Sequence, residues 1–229
     1  MKKFMALIMI ATLLFIAINI TAGYCQKTEQ TEVKSAPKKV DSKTRSKNLV
    51  EKGNALLRNG ELGKAALMFG KAAKIDPKNA EAWIGKAKIL LAKDKLVFAL
   101  GTYRKALQHL PGSPVIWFNY GVAQGKAGRY GDALSSFDRA IKYDGNYADA
   151  WKYKGYTFVK LYRVEEAIPA LEQARSLDPN DVGTKFFLGI SYFYMGKKGE
   201  GKALIDEALK AKPQLKSKIP KKMKESLGI

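Results

Sequence analysis

The sequence predicts an all-α fold built as a solenoid of tandem two-helix units. The first observation is a period of 34 residues, at which tryptophan and alanine recur along most of the chain. The recurring residues are Trp83, Trp117 and Trp151, together with Ala72, Ala106, Ala140, Ala174 and Ala208. The second observation is that each period holds two stretches of about a dozen residues with helical apolar spacing. One structural unit copied in tandem therefore makes up most of the molecule.

Residues 1–25 have the layout of a secretory signal peptide. Lys2 and Lys3 precede a long apolar run, and small residues follow it at positions 21–23. The alternative is an uncleaved anchor formed by residues 4–22, because this run approaches the length that spans a bilayer. We therefore expect an exported protein that is periplasmic or envelope-associated, or one that is anchored in the inner membrane.

Residues 26–45 are predicted to form a flexible basic linker. This stretch contains many lysines and lacks both aromatic residues and a helical apolar period. Such a composition cannot bury enough apolar surface to offset the entropy lost on ordering. We interpret it as a tether between the export signal and the solenoid.

The solenoid is expected to contain five units in one register. Their predicted ranges are 46–79, 80–113, 114–147, 148–181 and 182–215. In the second unit, Ala99, Tyr103 and Ala106 are spaced by four and three residues, which places them on one helical face. The small alanines allow helices to approach closely, and the larger residue between them fills the remaining space. Proline ends the second helix of most units, and Gly145 is interpreted as a helix C-terminal glycine in the third.

Residues 216–229 are predicted to form a basic capping tail. A solenoid needs a terminal element with a polar outer face. Ile219, Met223 and Leu227 are spaced by four residues, so they fit one side of a short capping helix. The lysines around them then face solvent, or they form a basic patch that docks on an anionic surface.

The 34-residue pattern resembles the tetratricopeptide repeat, whose units run Trp-x2-Leu-Gly-x2-Tyr, then Ala-x3-Phe-x2-Ala, then Pro. The third unit carries this pattern as Trp117, Tyr120, Gly121, Gln124, Ala133, Phe137, Ala140 and Gly145. The resemblance covers residues 46–215. It implies a right-handed α-solenoid in which the first helix of each unit lines a concave groove.

The resemblance also implies which residues face that groove, and most of them are apolar or aromatic with isolated lysines. The implied groove residues are Asn54, Ile84, Lys88, Leu91, Phe118, Val122, Lys152, Tyr153, Tyr156, Phe187 and Ile190. Aromatic anchors with a few cations suit a surface that binds a peptide or a helix. The alternative is that some of these residues pack internally or against the cap. Co-chaperone members of the family hold a C-terminal carboxylate in a cationic clamp. This clamp is missing whether the comparison starts from the first, the second or the third unit, so we do not expect carboxylate binding of this kind.

The chain is strongly basic, with a formal net charge of +20. In a cytosolic protein this balance would indicate nucleic acid. Nucleic acid is not expected here, because the lysines are scattered through all units, no nucleic-acid motif appears and the N-terminus has an export layout. A basic exported protein more readily meets anionic lipid, a cell-wall polymer or acidic proteins.

No catalytic motif is visible, so we expect neither an enzyme nor a small-molecule substrate. His109 is the sole histidine, and the phosphate-binding loop, the nucleophile elbow and paired metal-binding histidines are missing. No cofactor or metal is expected. The sequence therefore favours an exported adaptor or scaffold that binds protein segments in cell-envelope assembly. The alternative is a basic solenoid that binds an anionic membrane surface or a cell-wall polymer.

Overall fold

The computed structural model describes residues 41–228, where eleven α-helices and one 3-10 helix follow one another without a strand. The α-helices are α1 Ser42–Arg58, α2 Leu62–Ile75, α3 Ala80–Ala92, α4 Leu96–His109, α5 Pro114–Lys126, α6 Tyr130–Tyr143, α7 Ala148–Lys160, α8 Val164–Leu177, α9 Val182–Tyr194, α10 Lys198–Ala211 and α11 Lys221–Leu227. The 3-10 helix, Pro213–Lys218, lies between α10 and α11. The predicted signal peptide or anchor, and the linker as far as residue 40, lie outside the described residues.

Helices α3, α5, α7 and α9 begin at the first residue of the second to fifth predicted units. Three of these starts are fixed by a side chain that accepts a hydrogen bond from a backbone N–H in the first turn. Asn79 accepts from Ala82, Ser113 from Ile116 and Asp181 from Thr184. These caps satisfy donors that a helix leaves unpaired at its N-terminus, so the unit boundaries have a local chemical cause.

Helix α1 begins at Ser42, four residues before the predicted start of the first unit. Residues 42–45, assigned to the linker from composition, are therefore helical. The stretch contains no proline or glycine, and α1 is held further along by the buried side chains of Ser46 and Val50. Extending an established helix costs far less than starting one, so the helix continues into this polar stretch.

The two helices of a unit meet where a glycine in the first faces a large side chain in the second. A Cβ atom placed on Gly121 would lie 2.7 Å from Phe137, and one on Gly155 would lie 2.5 Å from Leu171. The glycine therefore creates the space that the larger residue fills. In the second unit Ala87 holds the position of Gly121, and the helices α3 and α4 are packed less closely than the two helices of any other unit.

The repeated tryptophans join each unit to the turn that precedes it. The indole Nε1 of Trp83, Trp117 and Trp151 donates a hydrogen bond to a backbone carbonyl six residues earlier, at 2.9, 2.7 and 2.9 Å. The acceptors are Pro77, Pro111 and Gly145, which hold equivalent positions. This shared contact explains why tryptophan recurs with the period of the units.

The turn between the two helices of each unit contains a residue with a positive φ. These residues are Gly60, Asp94, Gly128, Tyr162 and Gly196, spaced by 34. Glycine adopts this conformation without steric cost, whereas a side chain makes it less favourable. Gly145 directly follows Asp144, the C-cap residue of helix α6, but it does not have the positive φ that is common for a glycine at this place. The backbone N–H of Asp144 bonds to the carbonyl of Ala140.

The C-terminal end of the solenoid is closed by the 3-10 helix and α11, as predicted. Ile219, Met223 and Leu227 are buried against Phe186 and Ile205 of the fifth unit. These residues cover the apolar side of the fifth unit that would otherwise be exposed to solvent. The predicted fold class, an all-α solenoid with a short capping helix, is confirmed. No helix between residues 41 and 228 is both long and apolar enough to cross a membrane.

Candidate partner-binding groove

The concave side of the third to fifth units encloses a cavity of about 790 Å³. Its walls come mainly from α5, α7 and α9, the first helices of these units. Tyr130 and Phe137 of α6 also line it, and one end is formed by residues that follow α10. We call this cavity the C-terminal groove, and we call residues 216–228 the capping segment. The lining residues used below are Val122, Lys126, Tyr130, Lys152, Tyr153, Tyr156, Lys160, Tyr162, Asp181, Phe187, Ile190, Tyr194, Lys212, Lys218 and Pro220.

A chain of aromatic rings runs along this side of the solenoid. The ring of Phe118 lies 5.2 Å from that of Tyr153, and Tyr153 lies 6.4 Å from Tyr156. Tyr156 in turn lies 4.6 Å from Phe187 in the next unit. Since these positions belong to the first helices of three successive units, the ring chain crosses two unit boundaries. It provides a continuous, half-buried aromatic wall.

Six of the predicted groove residues line the C-terminal groove. They are Val122, Lys152, Tyr153, Tyr156, Phe187 and Ile190. Phe118 does not line it, because its ring packs between Tyr147, at 5.1 Å, and the buried Phe137, at 6.0 Å. Phe118 therefore supports Tyr153 from behind. Ile190 is nearly buried and also contacts the capping segment, so it combines both roles considered for these positions.

The remaining predicted residues belong to the first two units and do not line this groove. The Asn54 side-chain amide donates to a carboxylate oxygen of Glu81 at 2.9 Å, which ties α1 to α3. Ile84 and Leu91 are half-buried and pack on the core of the second unit around Tyr103. Lys88 is exposed. Ile84 and Leu91 thus pack internally, which was the alternative to a position on the groove.

Within residues 41–228, Lys152 is the one lining lysine that forms ion pairs with acidic side chains. Its Nζ lies 2.6 Å from Asp149 and 3.2 Å from Asp181, which accepts hydrogen bonds from the Thr184 backbone and hydroxyl. Burial disfavours the charged form of Lys152, but the bond to Asp149 and the charge of Asp181 outweigh it and raise the pKa of Lys152. Burial likewise opposes the charge on Asp181, yet the bonds from Thr184 and the charge of Lys152 lower the pKa of Asp181. Both groups stay charged at neutral pH and join α7 to α9.

Several lining residues were not predicted, and they share two origins. Tyr130, Tyr162 and Tyr194 lie at or near the ends of helices, where the helix-face pattern does not apply. Lys212 and Lys218 lie near or within the capping segment, which has no repeat from which a register can be read. The register alone singles out Tyr162, because it occupies the turn position that glycine holds in three other units.

The residues with catalytic potential have ordinary surroundings. The imidazole of His109 is exposed and stacks on the indole of Trp83, with ring centroids 6.1 Å apart. Among residues 41–228, no group of three histidine, cysteine, aspartate or glutamate side chains is placed to hold a metal ion. The groove combines aromatic surface with lysines.

Comparison with other proteins places the repeats among known sequences. A family model for the tetratricopeptide repeat matches residues 50–114 and 120–182. The chain is 26% identical to anaphase-promoting complex subunit 3 of Schizosaccharomyces pombe over 140 residues, 61% of this chain and 21% of that protein. It is 28% identical to the CTR9 homolog of Arabidopsis thaliana over 127 residues, 55% of this chain and 12% of that protein. The chain thus spans about a fifth or less of these curated relatives.

This chain matches a larger share of several solved structures that have the same fold. MamA superposes with a TM-score of 0.61 at 23% identity, covering 73% of this chain and 97% of that one. PilF of Pseudomonas aeruginosa superposes with a TM-score of 0.66 at 19% identity, covering 73% of this chain and 78% of that one. YrrB, a repeat protein described as having an unusual peptide-binding site, superposes with a TM-score of 0.57 at 21% identity, covering 72% of this chain and 85% of that one. Since the family model covers more than half of the residues, the chain belongs to the tetratricopeptide repeat family.

Proposed function

We propose that this protein is an exported adaptor whose groove holds segments of other proteins while complexes of the bacterial cell envelope assemble. The observation that carries the proposal is the chain of rings that lines the groove, from Tyr153 through Tyr156 to Phe187. Half-buried rings on a concave surface provide the aromatic anchors that concentrate binding energy in protein interfaces. A partner segment that covers them would bury apolar surface without unfolding the solenoid.

Membership of the repeat family supports a protein or peptide as the partner. Tetratricopeptide repeat proteins act in protein–protein interaction and scaffolding, and the similarly folded YrrB has a peptide-binding site. The stacked first helices of this chain present the same kind of extended surface. Export and a role in the envelope depend on the N-terminal signal layout, which lies outside the described residues.

A second candidate is binding to an anionic membrane surface or cell-wall polymer. Its support is the net charge of +20 and the exposed lysines of the capping segment, including Lys216, Lys221 and Lys222. Salt separates the two functions, because attraction between exposed charges is screened within about 8 Å at physiological ionic strength. Contacts made by apolar and aromatic surface persist under the same conditions.

A photocrosslinking amino acid at Tyr156 tests the proposed function in native envelope preparations. We expect it to capture a defined protein, and the yield should persist in roughly 0.5 M salt, where charge attraction is strongly screened. The matched control is the same crosslinker at Tyr143, which is exposed on the second helix of the third unit. Equal capture from both positions, or capture that disappears in salt, would contradict groove binding.

Replacing Tyr156 and Tyr194 with alanine tests the energetics once a partner is known. The double variant should weaken binding by about 2 kcal/mol or more, since aromatic anchors dominate such interfaces. Both side chains line the groove, and Tyr194 is 47% exposed. Phe118 is avoided because its ring packs on the buried Phe137, so its loss would disturb the fold. An unchanged affinity would remove the groove from the site.

A further inference from the structure

We propose that the C-terminal groove selects an acidic, apolar-containing segment of a partner protein, and that the capping segment forms part of this site. The inference rests on the proposed function and adds the chemistry of the partner. Five lysines and one aspartate line the groove, which leaves a surplus of four positive charges. A concave surface with one sign of charge attracts the opposite charge and disfavours its own.

The surplus belongs to four exposed lysines around the edge of the groove. They are Lys126, Lys160, Lys212 and Lys218. Between residues 41 and 228 none of the four forms an ion pair, whereas Lys152 on the wall is neutralised by Asp149 and Asp181. The uncompensated charge therefore surrounds an aromatic wall. This arrangement fits a segment whose apolar side chains face the rings and whose carboxylates reach the lysines.

The aromatic wall explains why the partner needs more than charge. Tyr153, Tyr156 and Phe187 form the wall, and the Nζ of Lys160 lies 5.6 Å from the ring centroid of Tyr156. A lysine that already lies over the ring can meet a carboxylate while the ring contacts an adjacent apolar side chain. A planar lipid surface could reach the exposed lysines but not the half-buried rings. The geometry thus favours a peptide over a membrane.

The capping segment contributes to the site because buried anchors fix its position. Ile219 is 3% exposed and packs on the fifth unit, and its neighbours Lys218 and Pro220 both line the groove. Met223 and Leu227 hold the following helix against the same core. The end of the groove is thus built on a supported element, with Lys212 at the C-terminus of α10 beside it.

Charge also excludes two occupants that the chain itself offers. The preceding stretch, residues 26–40, has more basic than acidic side chains, so it would add positive charge to a positive groove. A second copy of the chain has a net charge of +20 and would meet the same repulsion. Charge therefore favours an acidic occupant that comes from another protein.

Selection from a library of random dodecapeptides displayed on phage, with the full-length chain as the immobilised target, tests the inference. We expect the selected peptides to be enriched in aspartate or glutamate next to leucine or phenylalanine. A fluorescein-labelled peptide from the selection then serves as the probe. With Lys126, Lys160, Lys212 and Lys218 all replaced by glutamine, its affinity should fall by about tenfold or more, from the loss of four charge contacts.

The matched control removes the same charge elsewhere. Lys71, Lys105, Lys142 and Lys210 are exposed on second helices and do not line the groove. Their replacement by glutamine should change the affinity by less than about twofold, because distant exposed charges are screened. If both quadruple variants lose affinity equally, general charge attraction explains the binding and the inference is overturned.

The remaining outcomes separate this inference from the proposed function. The selected peptides could lack acidic enrichment and still bind more weakly to the variant with alanine at Tyr156 and Tyr194. That result would overturn the acidic partner and would leave the proposed groove function in place. If no peptide is selected while phosphatidylglycerol vesicles bind and the groove-lysine variant loses them, both proposals fail in favour of the membrane surface. Acidic selection together with loss in the groove-lysine variant alone supports the inference.

Discussion

Single positions in this chain recur because the same atom-to-atom contact is made in successive units. The tryptophan indole bonds to the carbonyl of the preceding turn in three units, and a glycine lies against a bulky side chain in four. The first contact requires a side-chain hydrogen-bond donor at a fixed distance, and the second requires a residue without a side chain, so few residue types fit either position. A residue that departs from the repeat therefore indicates a position with a different structural or functional role.

Tyr162 is such a departure. It is 83% exposed, lines the groove and has a φ of 59°, at the turn position where three other units have glycine. A bulky side chain in this conformation is unfavourable by roughly 1 kcal/mol. Strain at an exposed position on the proposed binding surface supports a functional role for the side chain.

We expect Tyr162→Gly to raise the free energy of unfolding by about 1 kcal/mol, because the strained conformation suits glycine. Partner binding should weaken in the same variant, since a ring is lost from the groove. Asp94→Gly is the matched control, with a φ of 55° and no position on the groove wall. It should gain less stability, because aspartate tolerates this conformation better, and should bind normally. Urea denaturation and fluorescence anisotropy provide the two measurements, and a less stable Tyr162→Gly protein would refute the strain argument.

Within one unit, stability depends on how closely its two helices approach. Ala133 in α6 is fully buried, and a Cβ atom on Gly125 of α5 would lie only 4.0 Å from its methyl group. Ala133→Trp should therefore overpack this contact and lower the free energy of unfolding by roughly 1–3 kcal/mol or more. Thermal melts followed by circular dichroism measure the change. Tyr143→Trp, at a 44% exposed position of the same helix, should melt like the parent, and an equally stable Ala133→Trp protein would disprove the assigned register.

Between the fourth and fifth units, the ion pair of Lys152 with Asp181 predicts a pH dependence. Because the pKa of Asp181 is lowered on folding, its stabilisation is present above the ordinary carboxyl pKa and is lost as pH falls through the lowered value. Asp181→Asn should reduce the free energy of unfolding by about 1 kcal/mol at neutral pH. The difference should nearly vanish in strong acid. Asparagine also caps helices well, so the substitution isolates the charge.

The control for this pair is the exposed contact between Lys202 and Asp206, 3.3 Å apart. Asp206→Asn should change stability by less than about 0.5 kcal/mol at any pH, because exposed pairs within a helix contribute little. Chemical denaturation at neutral and acidic pH compares the two variants. A pH-independent loss in Asp181→Asn would show that the charge is not the cause.

For the whole molecule, the N-terminal signal layout predicts that the mature protein begins between about Gly23 and Gln26 and is found outside the cytoplasm. N-terminal sequencing of protein purified from its native host measures this directly. A soluble cytoplasmic protein that retains Met1 would exclude export. A membrane-bound protein with an intact N-terminus would instead favour the anchor formed by residues 4–22.

The sequence predicted the fold of the whole molecule better than the extent of its groove. The sequence shows the 34-residue period because the units repeat the same contacts. It also predicts the cap, because Ile219, Met223 and Leu227 share one helical face. The direction in which an individual ring turns is set by its neighbours, as with Phe118, which packs on Phe137. The capping segment has no repeated counterpart, so its lysines could not be placed beside the groove in advance.

The order in which the helices pack has a consequence for how the chain reaches its folded state. From Ser42 to the capping segment, each helix packs mainly on the next one along the chain, or on the first helix of the adjacent unit. Contacts of such short sequence separation form quickly, because little chain must be looped to close them. A solenoid of this kind can fold progressively from one end. Each unit can therefore become ordered while the residues that follow it are still being synthesised, without waiting for the C-terminus.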